Sequence, residues 1–275
     1  MVCSVLRDSW FQLPAVRAGR VLPRFFVAEP VSPAARLALS AEQDAHSDLE
    51  VLVGRAEAYA AVPHQTLAML QHFTNSSLYS RSVLWIVKTD DDVFLRADAA
   101  LRALLATSHL HPPGARIYSG WMVKGAAAHR NGKWAVTKQE WPATTYPEYA
   151  SGPTYALTAS LARQVLKLHR QGVVAEPDPA RAQGSPRPLW LRLEDVAMGL
   201  WVEAVEARVR VVRRDDRRFY KGRFCVPWSV SVLLEQGRPL FFLMEDVSRA
   251  MAQLLHNENA SLAVAAQDAG GGGRG

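Results

Sequence analysis

The chain has 275 residues, 49% of them hydrophobic and 21% charged. That balance describes a folded globular protein of one or two domains and excludes a disordered, collagenous or coiled-coil chain. The net charge of +6 is local: residues 208–223 carry eight basic side chains (Arg208, Arg210, Arg213, Arg214, Arg217, Arg218, Lys221, Arg223) against Asp215 and Asp216, so the remainder is neutral and offers nucleic acid no basic surface.

Residues 20–27 (RVLPRFFV) read as a strand, and Pro30 and Pro33 then punctuate a loop. Residues 51–54 are a short apolar run, and 62–73 place Leu67, Leu70 and Phe73 at helical spacing. Residues 82–87 (SVLWIV) are β-branched and aromatic, as a strand buried on both faces requires. A helix over 97–106 and a short strand over 116–119 follow. The clearest helical pattern spans 156–170, with Thr158 to cap it, Leu161, Val165 and Leu168 as its stripe, and Gly172 to end it. Residues 171–188 hold four prolines and two glycines and read as a surface loop. A helix over 194–207, a basic strand over 208–212 and a last helix over 241–255 complete the pattern, before a glycine-rich end. Strands alternating with helices predict an α/β fold around a largely parallel sheet.

Two cysteines, Cys3 and Cys225, exclude a disulfide scaffold and a four-cysteine zinc site. No apolar run approaches the roughly 18 residues of a membrane span. Asn75-Ser-Ser and Asn259-Ala-Ser fit the glycosylation acceptor pattern.

Asp90, Asp91 and Asp92 follow the 82–87 strand almost without a spacer. Open α/β sheets bind ligands at the carboxyl ends of their strands, and a hard divalent cation offsets the mutual repulsion of adjacent carboxylates. In an extended segment Asp90 and Asp92 point one way and Asp91 the other. A solvated acidic turn is the competing reading. A second acidic pair, Glu194-Asp195, opens a helix, where the macrodipole keeps a carboxylate ionised and fit to act as a base; helix-capping charges are the plain alternative. Gly199, within that helix, points to the close approach of something. Between the two acidic groups, Trp134, Trp141, Tyr146, Tyr149 and Tyr155 cluster around Gly132, Gly152 and prolines, the composition of either a sugar-binding surface or a packed loop.

Lys88-Thr-Asp-Asp-Asp-Val-Phe-Leu95, Gly132-Lys-Trp134, Tyr146-Pro-x-Tyr-x-x-Gly-x-x-Tyr155 and Glu194-Asp-Val-x-x-Gly199 resemble, in this order, the beta-1,3-glycosyltransferases. That group includes the galactosyl, N-acetylglucosaminyl and N-acetylgalactosaminyl enzymes and fringe. Arg7-Asp-Ser-Trp10 is similar to the end of the family's opening motif, and the likeness runs over about residues 5–245. The resemblance implies a GT-A nucleotide-sugar-binding fold, a single glycosyltransferase domain over 1–260 with a donor half over about 1–120 and an acceptor half over about 121–260; the glycine-rich 261–275 reads as a disordered tail. It also implies inverting, Mn²⁺-dependent transfer of a hexose, most readily galactose from UDP-galactose, to the 3-hydroxyl of an acceptor glycan on a glycoprotein or proteoglycan. Carried over by position, Asp92 and Asp90 hold the metal, and Asp90, Asp91, Lys88, Arg7 and Trp10 belong to the donor site. Asp195 is the base, with Glu194 beside it, while Trp134, Tyr146, Tyr149, Gly152 and Tyr155 serve the acceptor.

Three departures from the family pattern stand out. Met1 falls inside the opening region, so a first strand and a signal anchor are expected upstream in a full-length Golgi type II membrane protein, with membrane contact only through that anchor. Residues 225–233 (CVPWSVSVL) contain no histidine of the kind that often completes the family's metal site, and the Pro-rich 171–188 segment is an insertion. A non-catalytic glycosyltransferase-like binding module is therefore the alternative to an enzyme. A metal-dependent nuclease built on the same carboxylates lacks the basic surround its substrate needs.

Overall fold

A computed structural model describes residues 2–53, 61–75, 82–175, 189–219 and 231–233. The chain opens with helix α1 (Val2–Asp8), a 3-10 turn (Trp10–Gln12) and a short α2 (Pro14–Arg17). Strand β1 (Phe25–Ala28) precedes α3 (Pro33–His46), β2 (Leu49–Leu52) and α4 (Val62–Asn75). Strands β3 (Trp85–Thr89) and β4 (Val93–Leu95) flank the aspartate triplet, and α5 (Ala97–His109), β5 (Ile117–Val123) and β6 (Tyr149–Thr158) follow. Then come α6 (Ala159–Arg170), α7 (Glu194–Glu206), β7 (Val212–Asp215) and β8 (Ser231–Leu233). The helix expected over 241–255 and the tail over 261–275 lie outside the described residues.

The central sheet has the order β3-β6-β5-β7. It is mixed, not largely parallel: β6 runs antiparallel to both β3 and β5, and only β5 and β7 are parallel within it. Counting alternations missed this because β6 carries Gly152 and Pro153 and reads as a bent loop. The structure reconciles those residues with a strand by interrupting the β5–β6 ladder. Gly120 pairs with Tyr155 and Met122 with Ala150, so a single β5 residue faces residues 151–154. Pro153, which has no N–H to give, accepts the Asp90 amide at 3.0 Å where β3 ends. Two smaller pairings stand beside this sheet, parallel β1–β2 and antiparallel β4–β8.

The basic strand expected over 208–212 stands instead at 212–215, and two further local readings change for identifiable reasons. The Pro30–Pro33 region does not stay a loop: Ser32 accepts the Ala35 amide at 3.1 Å as N-cap and Pro33 takes the first turn of α3, where a missing N–H costs nothing. Residues 156–158 finish β6 before α6 begins. Thr158 stands at the N-cap position, but its hydroxyl accepts the Ile117 amide and donates to the Ala115 carbonyl, both at 3.0 Å, and so ties β6 to the start of β5.

The core lies between the central sheet and helices α4, α6 and α7. The α6 stripe of Leu161, Val165 and Leu168 is buried, as its spacing predicts. Helix α7 is apolar on nearly every side and packs against β6 at Gly199, where an added Cβ would stand 2.7 Å from both the Glu148 carbonyl oxygen and Tyr149 Cβ. The close approach that Gly199 signals is therefore helix on strand, and it sets the distance of the start of α7 from the β6 bend.

Candidate active site

Strand β3 ends at Thr89, and the next three residues are the aspartates. Asp91 and Asp92 form a turn rather than extended chain, so side-chain alternation does not govern them; Asp91 is the exposed member, and Asp90 and Asp92 are half-buried. Immediately afterwards β4 returns to the interior with Val93, Phe94 and Leu95 all buried. Its partner β8 is the end of the 225–233 segment, with Leu233 opposite Val93. Residues 225–230, Cys225 included, lie outside the described residues.

The two acidic groups meet around one lysine. Lys88 points from β3 with its side chain only 12% exposed. Its ammonium donates to Asp90 Oδ1 and to the Gly152 carbonyl at 2.9 Å, and lies 3.4 Å from Glu194 Oε2. Burial works against the charge on Lys88, but Glu194 and Asp90 outweigh it and hold the ammonium above its ordinary range. Glu194 is itself buried. Its Oε1 accepts the Tyr155 hydroxyl at 2.5 Å and the Thr66 hydroxyl at 3.1 Å, so α4, β3, β6 and α7 all converge on one carboxylate.

Asp195 is held differently. Its Oδ2 accepts the Gly152 amide at 3.1 Å and its Oδ1 the Val196 amide at 2.9 Å. Burial, and next the neighbouring Glu194, push its carboxyl up to about 6, against the pull of those amides and of Lys88. The position at a helix start does not by itself set its ionisation; the surroundings dominate. Above pH 6 the group is an ionised carboxylate with no cation in direct contact among the described residues, which is how a general base is stored.

The residues expected on the acceptor side separate by exposure. Tyr146, Tyr149 and Tyr155 are buried. The Tyr146 hydroxyl accepts the His129 amide at 3.0 Å, and the Tyr155 hydroxyl goes to Glu194, so both polar ends are engaged inside the protein. Gly152 faces Asp195, and Trp134 is 50% exposed. Trp134 rides on a loop fastened by Arg130, whose guanidinium donates to the carbonyls of Val136, Thr137, Trp141 and Ala143 at 2.7–3.1 Å. Arg192, just before α7, adds a bond to Glu140 at 2.9 Å. Thr66 and Arg130 escaped the sequence reading. Thr66 sits in a helix whose only signal is an apolar stripe, and the partners of Arg130 are backbone carbonyls, which no residue type marks in the sequence.

Arg7 and Trp10 are taken up elsewhere. Arg7 grips Asp48 through two bonds of 2.8 and 2.7 Å, reaches Glu42 at 2.8 Å and lies over the Phe25 ring. Trp10 is buried against Phe11. Arg7 thus holds the opening helices to α3 and the residue before β2, and Phe11, on which Trp10 packs, stacks on Phe25 of β1. Three arginines of the basic segment are paired within the protein: Arg213 with Glu206, Arg217 with Asp215, and Arg218 with the buried Asp216 through two bonds, while Arg208 and Arg210 are exposed.

For a cation, Asp90 and Asp92 supply hard carboxylate oxygens, the donor type that Mn²⁺ and Mg²⁺ take. Among the described residues no three His, Cys, Asp or Glu side chains converge to enclose an ion. Two carboxylates suit an ion that shares its other positions with water and phosphate oxygens. Among the described residues, no helix is long and apolar enough to cross a membrane.

A family model described as Galactosyltransferase matches residues 3–176. The hydroxyproline O-galactosyltransferase GALT2 of Arabidopsis thaliana is 30% identical over 221 residues, covering 80% of this chain and 28% of that protein. The Arabidopsis thaliana beta-1,3-galactosyltransferase GALT1 is 33% identical over 199 residues, 72% of this chain and 27% of its own length. Beta-1,3-galactosyltransferase 6 of Mus musculus is 30% identical over 229 residues, 81% of this chain and 62% of that protein. The chain thus spans under a third of the length of these two plant relatives.

Proposed function

The chain belongs to the galactosyltransferase family, and from that premise we propose that it transfers galactose from UDP-galactose to the 3-hydroxyl of an acceptor sugar, with inversion, in the Golgi lumen. The observation that carries this reading is the meeting of Asp90, Glu194 and Asp195 around Lys88 and Gly152. It joins the strand end where a cation-bound diphosphate is expected to a stored base.

Asp90 and Asp92 are the residues that would hold Mn²⁺, and when bound the ion neutralises charge on the departing diphosphate. No residue then needs to act as an acid on the leaving group, unlike an inverting hydrolase, which needs both an acid and a base. Asp195 accepts the proton of the attacking 3-hydroxyl at Oδ1 or Oδ2. The oxygen then adds to the anomeric carbon from the face opposite the diphosphate, and the configuration inverts. Tyr155, Thr66 and Lys88 keep Glu194 fixed beside it. Trp134 offers an aromatic face on a braced loop, suited to the apolar face of an acceptor sugar on a glycoprotein or proteoglycan.

The test is release of UDP from UDP-galactose with a β-galactoside acceptor, in Mn²⁺ and then in chelator, for the wild type and for Asp92→Ala. Loss of turnover in chelator and in the variant is expected. Turnover indifferent to both removes the metal from the reading. Binding of acceptor with no turnover at all under either condition assigns the chain the role of a glycosyltransferase-like binding module.

A further inference from the structure

We infer that Lys88 is a positioning residue that ties Asp195 to the donor-side carboxylates, acting through Gly152 and Glu194; this rests on the proposed role of Asp195 as the base. An ammonium has three N–H donors, and Lys88 has three acceptors within reach: Asp90, the Gly152 carbonyl at 2.9 Å and Glu194 at 3.4 Å. Each lies on a different part of the fold: the turn after β3, the interrupted ladder of β6 and the first residue of α7. Gly152 receives Lys88 through its carbonyl and holds Asp195 through its amide at 3.1 Å, so two hydrogen bonds separate the lysine from the base. A Cβ on Gly152 would itself stand 3.1 Å from Asp195 Oδ2, a contact relieved only if the carboxylate shifts.

The second route is electrostatic. Asp195 is faced by Glu194 on α7, Lys88 on β3, Tyr118 on β5, Tyr149 and Tyr155 on β6, and Tyr146 just before it. Burial raises all four phenols and keeps them neutral at pH 7. Glu194 therefore supplies the negative charge and Lys88 the opposing positive one. A compact ammonium with tetrahedral donors fits three acceptors in three directions, which a planar guanidinium does not. The same lysine contacts Asp90, so a change at the donor-side carboxylates is passed to the base.

The experiment is a carboxyl ¹³C NMR titration of the chain, with the Asp195 signal identified by its loss in Asp195→Asn. Lys88→Met is expected to raise the Asp195 midpoint by about one unit, the scale of a lost neighbouring charge. Galactose transfer at saturating UDP-galactose and Mn²⁺, measured alongside, is expected to fall by ~10²-fold. Lys88→Gln, a polar side chain without the charge, is expected to raise the same midpoint and serves where Lys88→Met does not fold. An Asp195 midpoint unmoved in a folded variant overturns the inference, as does a loss confined to donor affinity. A moved midpoint in a chain whose wild type transfers no galactose overturns the proposed function and leaves the coupling standing.

Discussion

Tyr155 and Glu194 share a 2.5 Å hydrogen bond between β6 and the first turn of α7. Both residues are buried, and the motif that resembles an acceptor-binding segment here points its last tyrosine inward. Removing that hydroxyl leaves a buried carboxylate short of a donor, at a cost of about 1–3 kcal/mol. Tyr155→Phe is therefore expected to lower the denaturation midpoint, measured by urea titration, and to depress transfer without raising the KM for acceptor. A rise confined to the acceptor KM would return Tyr155 to direct sugar contact.

Asp195 titrates at about 6, above the 3.8 of an ordinary aspartate. Two consequences run in opposite senses. Transfer needs the ionised form, so kcat/KM is expected to fall as pH drops through 6. The fold, by contrast, favours the protonated form: the stability this group contributes is present below 3.8 and lost as pH rises through about 6. Asp195→Asn should cut transfer by ~10²-fold or more while its Tm at pH 7.5 equals or exceeds that of the wild type, an advantage that disappears by pH 4. A variant that melts lower at both pH values would contradict this assignment.

Arg7 grips Asp48 with two bonds and Glu42 with a third. Arg7→Lys keeps the charge but loses the planar fork, and is expected to cost about 2 kcal/mol because the pairs are largely shielded from water. Thermal melting should register the loss. UDP–Mn²⁺ affinity, measured by calorimetry below the new Tm, should be unchanged; a tenfold weakening would restore Arg7 to the donor site.

Trp134 is 50% exposed on a loop that Arg130 holds through four carbonyls. Its removal takes away an aromatic face without opening the core. Trp134→Ala is expected to raise the acceptor KM by roughly tenfold, equivalent to about 1.4 kcal/mol. Hydrolysis of UDP-galactose in the absence of acceptor should be untouched, and an equal loss in hydrolysis would place Trp134 on the donor side.

The elements that announced themselves are those whose signal is local. The α6 stripe and the apolar residues of α4 repeat with the period of a helix, α7 opens on an acidic pair, and β3 is a β-branched, aromatic run, although it lies at the end of the central sheet with only Ile86 buried and not covered on both faces as expected. Strand β6 was hidden because Gly152 and Pro153 argue against a central strand, and only pairing with β3 and β5 accommodates them. Helix α3 was hidden for a different reason: it buries no residue, so no apolar face marks it, and its start depends on a serine cap before a proline.

The order of the motifs along the chain, the aspartates after an apolar strand and the acidic pair opening an apolar helix are properties of the sequence, since each depends on neighbours within a few residues. Which tyrosines face inward, that one lysine joins two carboxylates and a backbone carbonyl, and that Asp195 binds its proton more tightly than a free aspartate were decided only by tertiary structure. Burial and the distance between charges belong to residues far apart in the chain, such as Lys88, Gly152 and Glu194, and no local pattern contains them.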